Sequence, residues 1–273
     1  MNQNLKYYFS LARSKESQYK NILRDLKYFL KSLKVSDAII ALEDEYNLSA
    51  EEILKLDDFF SSYLAGIPFD YILNESEFMG HKFFVDPRVL IPRPETELIV
   101  EWTLELSLSK NSKIFEVGTG SGCIAISISL KKRDIKIIAT DISDSALEVA
   151  QINKKLHNAE NVTLVQSNWL ACSAENSLDL VISNPPYIQP NDPHLEELHH
   201  EPLIALTSES GSQSFVQIAS QAESSLKQGG KIIFEHGNSQ AKEVSNILKN
   251  FGFKNIMTSK DFQGLDRYTY ASK

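Results

Sequence analysis

From about residue 95 onward, short apolar runs alternate with segments of helical periodicity, and this alternation limits the possible folds more than any other feature of the chain. Apolar runs separated by helices are typical of parallel strands joined by crossover helices, so we predict an α/β, doubly wound sheet. A short loop joins the last two runs, which predicts that one terminal strand is antiparallel. The predicted strands are Lys113–Val117, Lys136–Thr140, Val162–Gln166, Leu178–Ser183, Gly230–Glu235, Asn255–Thr258 and Arg267–Ala271.

The segment 1–75 lacks this alternation and is predicted to be helical. Apolar residues recur at helical spacing over 22–33, as expected of one buried helix face. Ser36 is placed to cap a following helix, which is predicted to run through Tyr46. Ser49 and Glu52 match the capping box that begins another helix. These patterns predict a small all-helical N-terminal domain.

Glycine and proline residues separate the two patterns. Gly66-Ile67-Pro68 interrupts the helical periodicity, and residues 78–91 mix aromatic and β-branched residues around Gly80, which is typical of a hairpin. The sequence therefore divides into a helical domain over 1–75, a hairpin linker over 76–94 and an α/β domain over 95–273.

The composition excludes several classes of protein. A formal net charge of −8 disfavours binding to nucleic acid, because affinity for phosphate backbones comes largely from Lys and Arg. The two cysteines, Cys123 and Cys172, form no CxxC pair, which argues against a zinc site and a disulfide framework. No apolar run approaches the roughly 18 residues of a membrane span, and the chain begins without an apolar leader. We therefore expect a cytoplasmic protein without a metal.

A glycine-rich turn follows the first predicted strand of the α/β domain. Glycines between a strand and a helix let a ligand approach the backbone and the free N–H groups of the helix start. Asp141 ends the next strand, where a carboxylate can accept hydrogen bonds from ribose hydroxyls. The spacing GxGxG over Gly118–Gly122 differs from the GxGxxG of dinucleotide sites and favours S-adenosylmethionine over NAD. Asn168 and Trp169 follow the third strand, where adenine would lie.

The run Asn184-Pro185-Pro186-Tyr187 follows the fourth predicted strand, at the edge of the sheet that the glycine turn also occupies. The Asn184 side-chain oxygen and the Pro185 carbonyl can both accept hydrogen bonds from one planar NH₂ group, and Tyr187 can pack against its face. Such an arrangement orients the poorly nucleophilic nitrogen of an amide or exocyclic amine towards a methyl donor. Since a carboxylate also accepts from N–H, the substitution Asn184→Asp is expected to retain part of the activity.

These motifs resemble those of the amino-methyltransferases of the class I Rossmann-like fold, and other segments resemble the release-factor glutamine methyltransferases among them. The resemblance covers nearly the whole chain. Beyond the two motifs above, it rests on Gly66-Ile67-Pro68, LIPRPETE over Leu90–Glu97, Ser167-Asn168-Trp169, NDPHLEE over Asn191–Glu197, Glu201-Pro202, Phe234-Glu235-His236-Gly237 and Asp266-Arg267.

The resemblance implies a class I Rossmann-like methyltransferase sheet with a small all-helical N-terminal domain that recognises the substrate. It implies S-adenosylmethionine as cofactor, the glutamine of the Gly-Gly-Gln motif of peptide-chain release factors as acceptor, and a monomeric enzyme. The implied cofactor-binding residues are Gly118, Thr119, Gly120, Ser121, Gly122, Asp141, Asn168, Trp169 and Asn184. The implied substrate-binding residues are Asn184, Pro185, Pro186 and Tyr187, of which Asn184, Pro185 and Tyr187 are catalytic.

Two further details follow from the resemblance. Arg93 and Pro94 are expected near the methionine end of the donor. Asn168 stands where many relatives have aspartate. An amide oxygen still accepts a hydrogen bond from the amino group of adenine, but it carries no charge, so the affinity for the cofactor is the property that this difference affects.

Two alternatives remain. An adenine-N6 methyltransferase acting on DNA or RNA would use the same Asn-Pro-Pro-Tyr motif on a flipped base, but the acidic charge and the lack of a large target-recognition insertion disfavour it. A catalytically silent binding module with the same fold is disfavoured because every motif position is intact.

Overall fold

The computed structural model describes residues 4–42 and 46–273 of the 273-residue chain. The chain divides into two compact units, Met1–Glu75 and Ser76–Lys273. Within the described residues, the first unit is helical and the second contains all of the strands. No helix within these described ranges is both long and apolar enough to cross a bilayer.

The first unit packs the apolar faces of its helices around a core of aromatic and aliphatic side chains. Phe9, Leu26 and Phe59 are almost completely buried there, and the rings of Phe29 and Phe59 stack with their centroids 4.7 Å apart. The described helices of this unit are α1 (Leu5–Lys15), α2 (Ile22–Ser32), α3 (Asp37–Leu42), α4 (Ala50–Leu64) and α5 (Phe69–Leu73).

The capping box predicted at the start of α4 is confirmed. The Ser49 hydroxyl accepts from the Glu52 N–H at 3.2 Å, and the Glu52 carboxylate accepts from the Ser49 N–H at 2.7 Å. The predicted cap at Ser36 is also confirmed, because the helix starts at Asp37 and the Ser36 hydroxyl accepts from the Ile39 N–H at 3.4 Å. This helix is described to Leu42. Tyr46 lies outside any helix, and residues 43–45, over which the prediction also extends, lie outside the described residues.

The second unit begins with a hairpin that is shorter than the one predicted over 78–91. Strand β1 (Ser76–Phe78) pairs antiparallel with β2 (His81–Phe83). Met79 and Gly80 form the turn, with φ angles of +53° and +70°. The pairing ends at Phe83, because the N–H and the carbonyl of Phe84 hydrogen-bond to the Asn153 side chain at 2.7 and 2.9 Å. Residues 84–91 are irregular.

A seven-stranded sheet forms the centre of the second unit, in the order β5-β4-β3-β6-β7-β9-β8. Its strands are β3 (Lys113–Val117), β4 (Lys136–Asp141), β5 (Val162–Gln166), β6 (Leu178–Ser183), β7 (Leu226–Glu235), β8 (Lys254–Lys260) and β9 (Asp266–Ser272). All seven predicted strands are confirmed. The predicted antiparallel terminal strand is confirmed as β9, the last strand of the chain, which lies between β7 and β8.

Helices cover both faces of this sheet, because side chains along each strand alternate between its two faces. On β3, Ile114 packs into the core against α6 and α7, whereas Phe115 packs into the core against α10 and α11. The helices of this unit are α6 (Glu97–Glu105), α7 (Cys123–Lys131), α8 (Asp144–Leu156), α9 (Leu203–Leu206), α10 (Gln213–Ser225) and α11 (Ala241–Asn250).

The strand order reverses between β3 and β6. The chain adds β4 and β5 on one side of β3, and then returns to place β6 on its other side, with Val117 of β3 paired to Ser183 of β6. The segments after these two strands therefore start side by side. Such a reversal opens a crevice at the carboxyl ends of the strands, where α/β sheets bind ligands.

Candidate active site

A cavity of about 380 Å³ lies at this reversal. Its walls come from the segments that follow β3, β4, β5 and β6, so the fold brings together residues that are far apart in the sequence. The predicted site residues that line it are Gly118, Gly120, Asp141, Asn168, Trp169, Asn184 and Pro186.

The three glycines of the turn have two different roles. All three have positive φ angles, of +72° at Gly118, +53° at Gly120 and +83° at Gly122. A Cβ atom at Gly118 or Gly120 would meet nothing within 4 Å, so these two border open space that a ligand can fill. A Cβ at Gly122 would lie 2.9 Å from the Ile126 side chain and 3.3 Å from that of Ala150. Gly122 therefore permits the close packing of α7 on α8 and does not line the cavity.

Thr119 and Ser121, which were also predicted to bind the cofactor, are buried and do not line the cavity. The Thr119 hydroxyl donates to the Glu116 carboxyl group at 2.7 Å. The Ser121 carbonyl accepts from the side-chain amide of Asn153 at 2.9 Å. These bonds fix the turn on its buried side, whereas Gly118 and Gly120 form the surface that faces the cavity.

Asp141 links the second strand to the glycine turn. One carboxylate oxygen accepts from the Gly120 N–H at 2.9 Å, and the other accepts from the Ser143 N–H at 3.0 Å. Burial raises the pKa of Asp141, and these backbone hydrogen bonds oppose the rise. The side chain therefore lines the cavity and also fixes the position of the turn.

Glu116 is a buried acid that was not singled out from the sequence. It lies in β3, two residues before Gly118, and is 1% exposed. Burial raises its pKa to about 8, while hydrogen bonds from the Thr119 hydroxyl and the Ala125 N–H oppose the rise. One oxygen accepts both of these bonds, and the other has no partner among the described residues. The signal available in the sequence was a single carboxyl group among the apolar residues that lead from Ile114 into the glycine turn.

Trp169 forms another wall of the cavity in a conformation that is uncommon for its residue type. Its φ angle is +53°, and its indole N–H donates to the Gln217 side chain at 2.6 Å. Asn168, immediately before it, is exposed and also lines the cavity. The cavity thus has an aromatic side chain and an amide next to each other on one wall.

A second cavity, of about 90 Å³, lies beside the first, and Asn184 lines both. Pro185, Tyr187 and Glu235 also line the smaller cavity. Burial raises the pKa of the Tyr187 hydroxyl, and the nearby Arg267 guanidinium opposes the rise. The Asn-Pro-Pro-Tyr run therefore separates two adjacent spaces, one bordered by the glycine turn and one bordered by Tyr187.

Arg93 and Pro94 were expected beside the donor, but neither lines the larger cavity. Arg93 lines the smaller one and forms an ion pair with Glu201, with a nitrogen-to-oxygen distance of 2.5 Å. The Glu201 side chain is 3% exposed, and its other oxygen accepts from the Ile91 N–H at 3.1 Å. This ion pair ties the segment before α6 to the segment before α9, which were far apart in the sequence.

The described residues hold no group of three or more His, Cys, Asp or Glu side chains that could bind a metal ion. His236, whose two ring nitrogens hydrogen-bond to the Gly237 carbonyl and the Thr269 hydroxyl at 2.9 Å each, is fully buried. Burial lowers its pKa. This arrangement favours a structural role for His236 over that of a base.

Sheet order, glycine turn and paired cavities together define a Rossmann-like methyltransferase. The family model for the methyltransferase small domain matches residues 95–263. The solved structure of a methyltransferase from Pyrococcus furiosus has the same fold, with a TM-score of 0.54 and 18% identity over 82% of this chain and 98% of that one.

Two similar proteins with assigned names identify the family within the methyltransferases. A release factor glutamine methyltransferase of Coxiella burnetii is 36% identical over 88% of this chain and 88% of its own length. The protein of that name from Clostridium acetobutylicum is 36% identical over 94% of this chain and 93% of its own length. The chain belongs to the release factor glutamine methyltransferase family.

We expect the buried Glu116 carboxyl to make the stability of the second unit dependent on pH. Its pKa is raised from 4.5 to about 8 by folding, so its stabilising contribution is complete below the unfolded pKa and is lost as the pH rises through 8. The variant Glu116→Gln does not titrate. Between about pH 6 and pH 9, it should lose less unfolding free energy than the wild type, by on the order of a few kcal/mol.

Denaturant unfolding followed by tryptophan fluorescence measures this difference, since both tryptophans, Trp102 and Trp169, lie in the second unit. The control is Glu101→Gln on the exposed side of α6, which should behave as the wild type does. Equal pH dependence in the wild type and Glu116→Gln would show that Glu116 is ionised in the folded protein.

Proposed function

We propose that this chain transfers a methyl group from S-adenosylmethionine to the side-chain amide nitrogen of the glutamine in the Gly-Gly-Gln motif of a peptide-chain release factor. Membership of the family supports the reaction. The observation that carries the proposal is the position of Asn184, which lines the larger and the smaller cavity at once. A group at that position can contact both a donor in the first space and an acceptor in the second.

The larger cavity fits the donor. The open space over Gly118 and Gly120 accepts a ligand against the backbone, and Asp141 is an acceptor for ribose hydroxyls at the cavity wall. Trp169 and Asn168 would lie beside the adenine. When bound, S-adenosylmethionine supplies an electrophilic methyl group on a positively charged sulfur.

The smaller cavity fits the acceptor amide. The lone pair of a carboxamide nitrogen is delocalised, so the nitrogen needs to be oriented before it can act as a nucleophile. The Asn184 side-chain oxygen and the Pro185 carbonyl would accept its two N–H groups, and the Tyr187 ring would pack against its plane. Since the pKa of the Tyr187 hydroxyl is raised, this group stays protonated near neutral pH and is unsuited to act as a base. Catalysis then rests on orientation and electrostatic preorganisation.

We further assign recognition of the protein partner to the helical unit Met1–Glu75. None of the predicted catalytic or cofactor-binding residues lies there, and its described helices have their own aromatic core. We also propose that the enzyme works as a cytoplasmic monomer and does not bind nucleic acid. The net charge of −8 supports the last point, because affinity for phosphate backbones comes largely from Lys and Arg.

Replacement of Asn184 should abolish most of the transfer. Asn184→Ala removes one of the two acceptors and should lower the single-turnover rate on a release factor at least roughly 100-fold, with a smaller effect on donor affinity. Asn184→Asp, expected from the sequence to be partly active, should also be poor, because its carboxylate would face the buried Glu235 carboxyl group.

Rates are measured with labelled donor, and nucleic acid is tested as an alternative acceptor. Asn250→Ala, on the exposed end of α11, is the control and should keep the wild-type rate. Normal transfer by Asn184→Ala would overturn the two-acceptor mechanism. Label that enters nucleic acid instead of the release factor would favour the adenine alternative.

Removal of the Asp141 carboxylate should weaken donor binding. Asp141→Ala should reduce the affinity for S-adenosylmethionine by about 1.5–3 kcal/mol, because a hydrogen bond to a charged group is lost and the Gly120 N–H loses its partner. Calorimetric titration measures this affinity. Asp144→Ala, which removes an exposed carboxylate nearby that does not line the cavity, is the control. Unchanged affinity in a folded Asp141→Ala protein would contradict the assignment.

Deletion of residues 1–75 should separate recognition from chemistry. The chain starting at Ser76 should bind the donor but lose transfer to the intact release factor. Transfer to a short Gly-Gly-Gln peptide should be affected much less, because a peptide offers little surface for the missing unit. Tryptophan fluorescence reports whether the truncated chain is folded. Full transfer to the intact factor would assign recognition to the second unit.

A further inference from the structure

We propose that Thr96 and Glu235 are positioning residues, which fix the Asn184 carboxamide so that its oxygen, and not its nitrogen, faces the acceptor amide. This inference rests on the proposed function. An asparagine side chain has an acceptor on one side and a donor group on the other, and only one of its two orientations can hold the N–H group of a substrate.

The fold brings these three residues together from distant parts of the sequence. Ser183 of β6 is paired with Phe234 of β7, so the next residues, Asn184 and Glu235, emerge side by side at the carboxyl ends of two adjacent parallel strands. Thr96 comes from the short 3-10 helix Pro94–Thr96 that precedes α6. Thr96 and Glu235 are 3% and 2% exposed, so water competes little for their hydrogen bonds.

The direction of the hydrogen bonds follows from the number of protons available. The Thr96 hydroxyl lies 2.7 Å from a Glu235 carboxylate oxygen and donates its single proton to it. The Thr96 oxygen can then only accept, so the Asn184 atom 3.3 Å away must be the NH₂ nitrogen. The Asn184 side chain also lowers the pKa of Glu235, which is the effect of a nearby N–H group and not of an amide oxygen. The donor side of the amide therefore faces Thr96 and Glu235, and the Asn184 oxygen is left for the acceptor.

The reversed orientation is disfavoured for the same reason. It would place the Asn184 oxygen against the Thr96 oxygen and the Glu235 carboxylate, where no proton is available between the acceptors. Buried polar atoms without partners are costly, so this network selects one orientation.

Glu235 accepts in its ionised form, which predominates above about pH 7. Burial raises its pKa to about 7 and nearby Glu95 adds to the rise, while Thr96, the Arg267 guanidinium and Asn184 favour the ionised form. Arg267 is itself held by Asp261, whose carboxylate accepts from the Arg267 side chain at 3.1 Å. The Tyr268 hydroxyl donates to the Glu95 carbonyl, which fixes the turn that carries Thr96.

The test compares three threonine variants in single-turnover transfer to a release factor. Thr96→Val removes the hydroxyl with little change of volume and should lower the rate roughly tenfold, the effect of losing one hydrogen bond, with the donor dissociation constant unchanged. Thr96→Ser keeps the hydroxyl and should keep most of the rate. Thr103→Val is the matched control, since Thr103 in α6 is fully buried and its hydroxyl has no hydrogen-bond partner among the described residues.

A double-mutant cycle separates positioning from a general structural effect. If Thr96 acts through Asn184, Thr96→Val should cause no further loss in the Asn184→Ala background. The same fold-loss in both backgrounds, or a normal rate for Thr96→Val alone, would overturn the positioning role. Absence of transfer by the wild-type chain would instead count against the proposed function, so the two failures are distinguishable.

Discussion

The parallel pairing of β3 with β6 is the constraint on which the rest of the site depends. Because the chain adds strands first on one side of β3 and then on the other, Gly118 and Asn184 emerge as neighbours at the carboxyl edge of the sheet. The helices α7 and α10, which follow these two strands in the chain, pack on opposite faces of the sheet, which leaves a crevice between the two connections. Both cavities adjoin this crevice, with Asn184 on their common wall.

Three acidic side chains stand at or near the carboxyl ends of three strands of the sheet, and each has a raised pKa because it is removed from water. They are Glu116 on β3, Asp141 on β4 and Glu235 on β7. A buried carboxyl group is unfavourable unless its oxygens accept hydrogen bonds, and here they accept from the turn, from backbone N–H groups and from Thr96. These hydrogen bonds offset part of the free-energy cost of burying the carboxyl groups. They also hold the glycine turn in place on one side of the site and, by our proposal, the Asn184 amide on the other.

A site residue could be predicted from the sequence when the pattern that marks it spans only a few consecutive residues. A glycine turn after a strand, an acid at the next strand end and an Asn-Pro-Pro-Tyr run are patterns of a few residues, so Gly118, Asp141 and Asn184 could be chosen from the sequence. Thr96 and Arg93 could not be placed this way, because their partners lie 139 and 108 positions away. Nothing in the spacing of the chain indicates which distant hydroxyl will lie 2.7 Å from which carboxylate.

The sequence by itself determined the alternation of strands and helices, and hence the α/β class, because burial on both faces of a sheet requires continuous apolar runs. It also determined the family, through motifs that span most of the chain. Only the tertiary structure decided that Gly122 serves packing while Gly118 borders the cavity, since that depends on how closely α7 approaches α8. It alone decided the orientation of the Asn184 amide, because hydrogen-bond direction depends on which donors and acceptors surround a group in space.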